Sequence, residues 1–303
     1  MTRNKVAARI VAFSFIALAI ASTPLSGNAR TERQTVDGKS TDMSDSLAVM
    51  AELKEQDPEM KTVRPAGIVA HRGYWQTDGS AQNSLTALRK AQALGVYSSE
   101  TDSWLTADNH IVQNHDGKIG DTVLRNASYR DVKRLRLPNG EPVPQLGDML
   151  RCVTESLSPT ILRIEIKEHD TPERTLECAN RVAKEVKKYG AEHKVEFTSF
   201  SLDACRRLRQ LFPEATVYYL KGGMKPADVK KLGINGLNYH IKEIRDNPQW
   251  VDEAHKLGMT MCVWTADNIH DMVEMCLKGV DLMSSNKPEL AMEVRGILLK
   301  VKK

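Results

Sequence analysis

Two pairs of charged residues, each spaced by two positions, stand out in this sequence: Glu100 with Asp102, and Glu165 with Lys167. Side chains on an extended segment alternate with a period of two, so each pair shares one face. If both faces point into one interior, three carboxylates converge there, and burying them without compensation is costly. A bound hard cation removes that cost, and an all-oxygen donor set favours Mg²⁺ or Ca²⁺ over zinc. Arg72 and Lys167 supply positive charge for an anionic substrate, for which a phosphate is the natural choice. His71 and His115, 44 positions apart, can serve as general acid and general base near neutral pH. The set as a whole reads as metal-assisted phosphoryl chemistry.

These residues need a frame that brings them to one place. From Val63 onward, short β-rich runs alternate with amphipathic runs of helical period. Extended segments are expected at Gly67–Arg72, Val96–Trp104, Ile161–Lys167, Val195–Phe200, Thr216–Leu220, Gly236–Tyr239, Thr260–Trp264 and Asp281–Ser284. Helices are expected between them, among them Ser84–Leu94, Pro172–Tyr189, Leu202–Leu211, Pro248–Leu257 and Ile269–Lys278. Gly95, Gly190, Gly258 and Gly279 stand where such helices should stop. Eight strand–helix units over about 240 residues fit an α/β fold of the (β/α)8 TIM-barrel type. A doubly wound open sheet is the alternative, weakened because no GxGxxG follows the first strand.

A barrel carries its active site at the C-terminal ends of its strands. There the sequence places His71-Arg72-Gly73 on strand one, Glu100 and Asp102 on strand two, Glu165 and Lys167 on strand three, and Trp264 on strand seven. His115-Asp116 ends an extension of strand two. Asn238 and His240, in phase on strand six, and Tyr219, ending strand five, are further candidates for the mouth.

The segments HRG at 71–73, ETDSWLTADNHIVQNHD at 100–116, IEIK at 164–167 and VWT at 263–265 occur in that order. Together they resemble the glycerophosphodiester phosphodiesterase family, over a stretch that runs from residue 67 to residue 296. The resemblance implies a (β/α)8 barrel that hydrolyses glycerophosphodiesters to glycerol 3-phosphate and an alcohol. It makes His71 and His115 the catalytic pair. It makes Glu100, Asp102 and Glu165 the ligands of one divalent cation, Mg²⁺ or Ca²⁺. Arg72 and Lys167 become the phosphate-binding residues, and Trp264 lines the substrate pocket.

The sequence departs from the family pattern in two places. The family usually has Pro-Glu-Asn-Thr after HRG, and this chain has Ala81-Gln82-Asn83-Ser84. Gln82 keeps the size and an acceptor oxygen of the expected Glu and stays in the substrate-binding set. The usual Thr-Asp-x-Pro near the C-terminus reads Ser285-Asn286-Lys287-Pro288, again an acid made neutral. Two rival readings use the same residues: a barrel that binds phosphodiesters without turnover, and a lipid phosphodiester lyase that releases a cyclic phosphate.

The ends of the chain carry a different message. Arg3, Lys5 and Arg9 precede the apolar run Ile10–Ala21, which closes on Ala19-Ile20-Ala21. This is the three-part pattern of a secretory signal peptide over residues 1–21. The run is short for a membrane span, so no stable insertion is expected after cleavage. The remaining protein is expected to be exported, periplasmic or secreted. Residues 22–62 read as a polar linker or strap, with a short helix at Ser46–Lys54, and 63–303 as the barrel domain.

Without the first 21 residues the formal net charge falls from +4 to +1. The basic balance thus belongs to the leader, and a nucleic-acid partner loses its electrostatic motive. The expected partner is a small molecule. Cys152, Cys178, Cys205, Cys262 and Cys276 form no CxxC pair. They read as small buried hydrophobes, with one or two disulfides as the alternative in an exported protein.

Overall fold

Strand β3, Ile161–Ile166, shows how this sequence builds a barrel. Leu162, Ile164 and Ile166 point outward into the helical layer and are fully buried there. Arg163 and Glu165 alternate with them and face the interior. Removing an aliphatic side chain of this size from water contributes about 1.5–3 kcal/mol. A one-residue slip would exchange the two sets, so the apolar face fixes the register. That register sets Asp102 opposite Glu165 and Glu100 opposite Arg163.

The computed structural model describes residues 43–56 and 64–301. Eight parallel strands close on themselves: β1 Gly67–Ala70, β2 Ser98–Leu105, β3, β4 Val195–Ser199, β5 Val217–Tyr219, β6 Gly236–His240, β7 Thr260–Trp264 and β8 Leu282–Ser285. Each pairs with the next, and β8 pairs with β1. The expected (β/α)8 barrel is therefore the fold, and the open sheet is excluded by the β1–β8 pairing.

The helices follow local rules. Helix Pro172–Lys188 starts on the Thr171 side chain, which accepts from the Arg174 N–H, with Pro172 in its first turn. Its buried stripe Cys178, Ala179, Val182, Ala183 and Val186 recurs at helical spacing. Helix Leu85–Leu94 is capped by Ser84 and stopped by Gly95, whose φ of 72° suits a residue without Cβ.

Local signals are weaker in short elements, and there the structure departs from expectation. The helix expected at Pro248–Leu257 spans Gln249–Lys256, and a separate helix, Ile241–Asp246, capped by His240, precedes it. The short extended piece expected at Ile111–Asn114 is the strand Ile111–Gln113, antiparallel to β2, but the two-stranded hairpin beyond it, at Lys118–Ile119 and Thr122–Val123, has no counterpart among the expected elements. A small second core forms beside β2 from Trp104, Val112, Leu124, Val132, Leu137 and Val143.

The expected signal segment 1–21 lies outside the described residues. Of the stretch 22–62, the structure describes Met43–Gln56, a helix longer than the one expected. It lies against helix Ile269–Leu277, and Leu53 joins the main core. All five cysteines are free thiols, and all but Cys152 are buried. Among the described residues no helix is long and apolar enough to cross a membrane.

The barrel interior has two charged storeys. In the lower one, Arg163 and Glu196 form an ion pair at 2.7 Å with both side chains almost fully buried. Tyr218 donates to Glu196 at 3.0 Å, and the Arg163 guanidinium lies over the Tyr218 ring. Val69, Cys262 and Leu282 fill the space around them. The upper storey opens at the C-terminal ends of the strands.

Candidate active site

The chain leaves β1 through a tight turn in which the Gly73 N–H donates to the Ala70 carbonyl. Arg72 sits at φ 59°, a left-handed conformation uncommon for a side chain of this size. This aims its backbone N–H at Glu100 Oε2, 2.7 Å away. Gly73 follows at φ 81°, and a Cβ there would stand 2.6 Å from that of Ala87. The HRG glycine is thus required twice, by conformation and by space.

The next segment clamps the same site from the other side. Gln82 Oε1 accepts from the Arg72 guanidinium at 2.8 Å. Asn83, at φ 61°, donates its amide to Asp102 Oδ2 at 2.8 Å. Its oxygen accepts from the Thr101 hydroxyl at 2.7 Å and from the Asp102 N–H at 2.9 Å. Ser84 then caps the following helix.

Glu100, Asp102 and Glu165 are all buried, and each offers an oxygen within 4.8 Å of the others. Lys167 is the cation in contact, 3.2 Å from Asp102 and 2.9 Å from Glu165. Glu100 Oε1 has no hydrogen-bond partner. Burial, then Asp102 and Glu165, hold the Glu100 carboxyl well above the usual range. Burial and the Asp102 charge push Glu165 up to about 7, against the pull of Lys167. Burial also works against Asp102, but Lys167, His115 and the Asn83 amide outweigh it and hold this carboxyl low. The cluster has more negative charge than its neighbours neutralise. Hard oxygen donors and an orphaned buried oxygen fit a divalent cation of the Mg²⁺ or Ca²⁺ type.

The two histidines reach the cavity from different walls. His71 follows β1, and its Nδ1 lies 2.8 Å from Asn286 Oδ1. Burial, followed by the Arg72 charge, lowers its pKa to about 4. A neutral ring is the result at physiological pH. His115 stands on the loop after Ile111–Gln113, with Nδ1 2.7 Å from Asp116. Trp104 supports that loop: its indole N–H donates to the His115 carbonyl at 3.4 Å. Gly117 packs on the same ring, where a Cβ would come within 2.9 Å. One cavity is lined by both histidines together with Arg72, Glu100, Glu165 and Lys167.

The family described as the glycerophosphoryl diester phosphodiesterase family matches residues 71–290. The chain belongs to this family. A glycerophosphodiester phosphodiesterase of Caldanaerobacter subterraneus is 25% identical over 244 residues, covering 76% of this chain and 96% of that protein. A crystal structure of a glycerophosphodiester phosphodiesterase from Parabacteroides distasonis is 39% identical. It has a TM-score of 0.76 and covers 79% of this chain and 99% of that one. An Oleispira antarctica phosphodiesterase, solved in complex with the product sn-glycerol-3-phosphate, shares the fold at 21% identity and a TM-score of 0.66, covering 75% of this chain and 96% of that one.

Within this family member, eight of the nine expected site residues meet in one place. His71, Arg72, Glu100, His115, Glu165, Lys167 and Trp264 line the cavity, and Asp102 stands behind, held by Lys167 and Asn83. Gln82 is the exception: its oxygen is turned to the Arg72 guanidinium, and it is not among the lining residues. Asn238 lines the cavity, as its phase with the inward strand face suggests. His240 does not; it caps helix Ile241–Asp246 and meets the edge of the Trp264 ring. Tyr219 points outward against Tyr239, because the inward position on β5 is Tyr218.

Phe200 and Leu220 complete an apolar wall with Trp264. They lie one residue past β4 and β5, and their inward parity was the available signal. Asn83 left only a weak trace in the sequence. Its role depends on a left-handed turn that brings it onto β2.

Proposed function

We propose that this protein is an exported, metal-dependent hydrolase that cleaves glycerophosphodiesters to glycerol 3-phosphate and an alcohol. The observation that carries the reading is the buried carboxylate cluster, short of positive charge, in a cavity that also presents two histidines. Family membership and the names of the relatives agree with this reaction class. Export is proposed from the Arg3, Lys5, Arg9 and Ile10–Ala21 pattern.

Glu100, Asp102 and Glu165 would hold one divalent cation, Mg²⁺ or Ca²⁺. When bound, such a cation stabilises negative charge on the phosphoryl oxygens. Lys167 presents an ammonium to the same cavity, and Arg72 adds a guanidinium already oriented by Gln82. His71, neutral in its buried setting, accepts the proton of the nucleophile, which is either water or the substrate's neighbouring hydroxyl, whose cyclic phosphate water then opens. His115, at the rim beside Asp116, donates a proton to the departing alkoxide. Phe200, Leu220 and Trp264 exclude water from one side of the diester. General acid–base catalysis of this type contributes about 10²–10⁴-fold.

The test uses purified mature protein with glycerophosphocholine and glycerophosphoethanolamine. Released glycerol phosphate is followed with Mg²⁺ or Ca²⁺, with EDTA, and in His115→Ala. Turnover that needs both the cation and His115 is expected. Turnover unchanged by EDTA or by His115→Ala would overturn the mechanism. A cyclic phosphate as the final product would replace hydrolysis with the lyase reading. Tight diester binding without turnover under any condition would leave a binding barrel.

A further inference from the structure

The acid that the family pattern leads one to expect at position 286 is Asn286 in this chain, yet a carboxylate stands one side chain away. Asp267 lies on the loop between β7 and helix Ile269–Leu277. It accepts from the Asn286 backbone N–H at 2.7 Å, from the Asn286 side-chain amide at 2.8 Å and from the Ser285 hydroxyl at 3.0 Å. An ionised carboxylate only accepts, so the Asn286 atom that faces Asp267 is the NH₂ group. The Asn286 oxygen therefore points the other way, to His71 Nδ1 at 2.8 Å. The Trp75 indole approaches that same oxygen at 3.4 Å. An indole N–H only donates, which independently requires an oxygen there. His71 Nδ1 must then carry a proton, and the neutral ring keeps its lone pair on Nε2.

We infer that Asp267 and Asn286 are positioning residues that hold His71 in the Nδ1–H form, with Nε2 free to take a proton in the cavity. The inference rests on the hydrolytic reading of the site for its catalytic meaning. The carboxylate fixes the asparagine, the asparagine fixes the imidazole, and the Trp75 indole contact prevents a flip. An asparagine in contact also differs from an aspartate in contact: it fixes the tautomer while favouring the charged imidazolium less than a carboxylate does. The charged or titratable groups that face His71 are Arg72, His115 and Asp102. Burial and then Arg72 oppose protonation of the ring, the Asn286 hydrogen bond and Asp102 favour it, and with a neutral acceptor at 286 burial and Arg72 stay dominant.

The arrangement predicts that exchanging the two residues preserves the chain of hydrogen bonds. In Asp267→Asn with Asn286→Asp, the amide at 267 donates to the carboxylate at 286, which still accepts from His71 Nδ1. The oxygen at 267 still accepts from the 286 backbone and Ser285.

The test compares the full chain with Asn286→Leu, Asp267→Leu and the double exchange. It reads His71 by ring ¹⁵N NMR, assigned with His71→Gln, and follows metal-supported turnover against pH. Each single variant should mix the His71 tautomers and lower kcat by about 10²-fold, with a much smaller change in KM. The double exchange should restore the single tautomer and most of kcat. It should also raise the acid limb of the kcat/KM profile by about 1 pH unit or more, because a carboxylate now touches the ring. An unchanged His71 tautomer in Asn286→Leu would overturn the inference. So would a folded double exchange no better than the single variants, or one whose acid limb does not move. The NMR arm does not depend on turnover, so failure of the hydrolytic reading is separable from failure of this one.

Discussion

Both storeys of the barrel interior bury charge, and they do so in opposite ways. Below, one cation meets one anion: Arg163 pairs with Glu196, Tyr218 donates to the same carboxylate, and Arg163 also reaches Cys262 Sγ at 3.0 Å. Above, Lys167 contacts two of three carboxylates, Asp102 and Glu165, while Glu100 has only the Arg72 backbone N–H and the Arg72 guanidinium donates to Gln82. The same strand supplies both patterns, through Arg163 below and Glu165 above. A buried charge with a matched partner serves the scaffold. A buried surplus of one sign is unfavourable for the empty fold and is tolerated where a ligand of opposite sign resolves it. The surplus, more than the burial, marks the functional end of the barrel.

The contrast is broken most strongly from below. Glu196→Ala leaves the Arg163 guanidinium buried without its partner and should cost about 3–5 kcal/mol in urea unfolding. Turnover per folded molecule should stay near that of the parent. A stability loss below about 1 kcal/mol would show that the lower pair is not a scaffold element of the kind described.

The next effect is the response to cation and pH. In chelated protein the Glu165 carboxyl is pushed up to about 7 from an ordinary value of 4.5, and Glu100 is raised as well. Groups raised in this way bind protons more tightly in the folded state, so their contribution to stability is lost as pH rises from about 4.5 through about 7. His71 works in the other direction: lowered from 6.5 to about 4, it contributes stability that is lost as pH falls through that window. A cation bound by the carboxylates cancels the first slope and leaves the second. The rise in melting temperature on adding Mg²⁺ or Ca²⁺ should therefore grow between pH 5 and pH 7. At about a hundredfold excess over Kd it should correspond to about 2–3 kcal/mol. A cation effect that shrinks with rising pH would contradict the surplus.

Glu100→Gln sharpens the same point at a smaller scale. It replaces a carboxyl whose ionisation the buried cluster opposes with a neutral group, and keeps the acceptor for the Arg72 N–H. The chelated protein should become more stable by on the order of 1 kcal/mol, or about 2–4 °C at this size. Stabilisation by cation should fall sharply in the same variant. Destabilisation instead would mean that Glu100 is adequately paired without an ion.

Gln82→Glu should have the smallest effect. The contact with Arg72 becomes charge-assisted, which strengthens it by about 1 kcal/mol. A change of a fewfold in KM, with little change in melting temperature, is expected from steady-state kinetics and calorimetry. A hundredfold change would place Gln82 in direct contact with substrate rather than behind Arg72.

Much of this protein is legible in its sequence. The period of two put Glu100 with Asp102 and Glu165 with Lys167, and eight β–α alternations implied the barrel that gathers them. Those inferences hold because a strand with one apolar face admits one register, and the parity of a side chain follows from its place in the chain. The same parity rule separates Tyr218 inside from Tyr219 outside, although the sequence reading put Tyr219 at the mouth. What lay beyond the sequence depended on contacts between distant loops. Asn83 reaches Asp102 through a left-handed turn, and Gln82 turns to Arg72 instead of the cavity. Asn286 meets His71 across 215 positions of chain and takes its orientation from Asp267. Short loops have no hydrophobic period to fix their side chains. Only closure of the barrel, which pairs the last strand with the first, determines which of these polar groups meet.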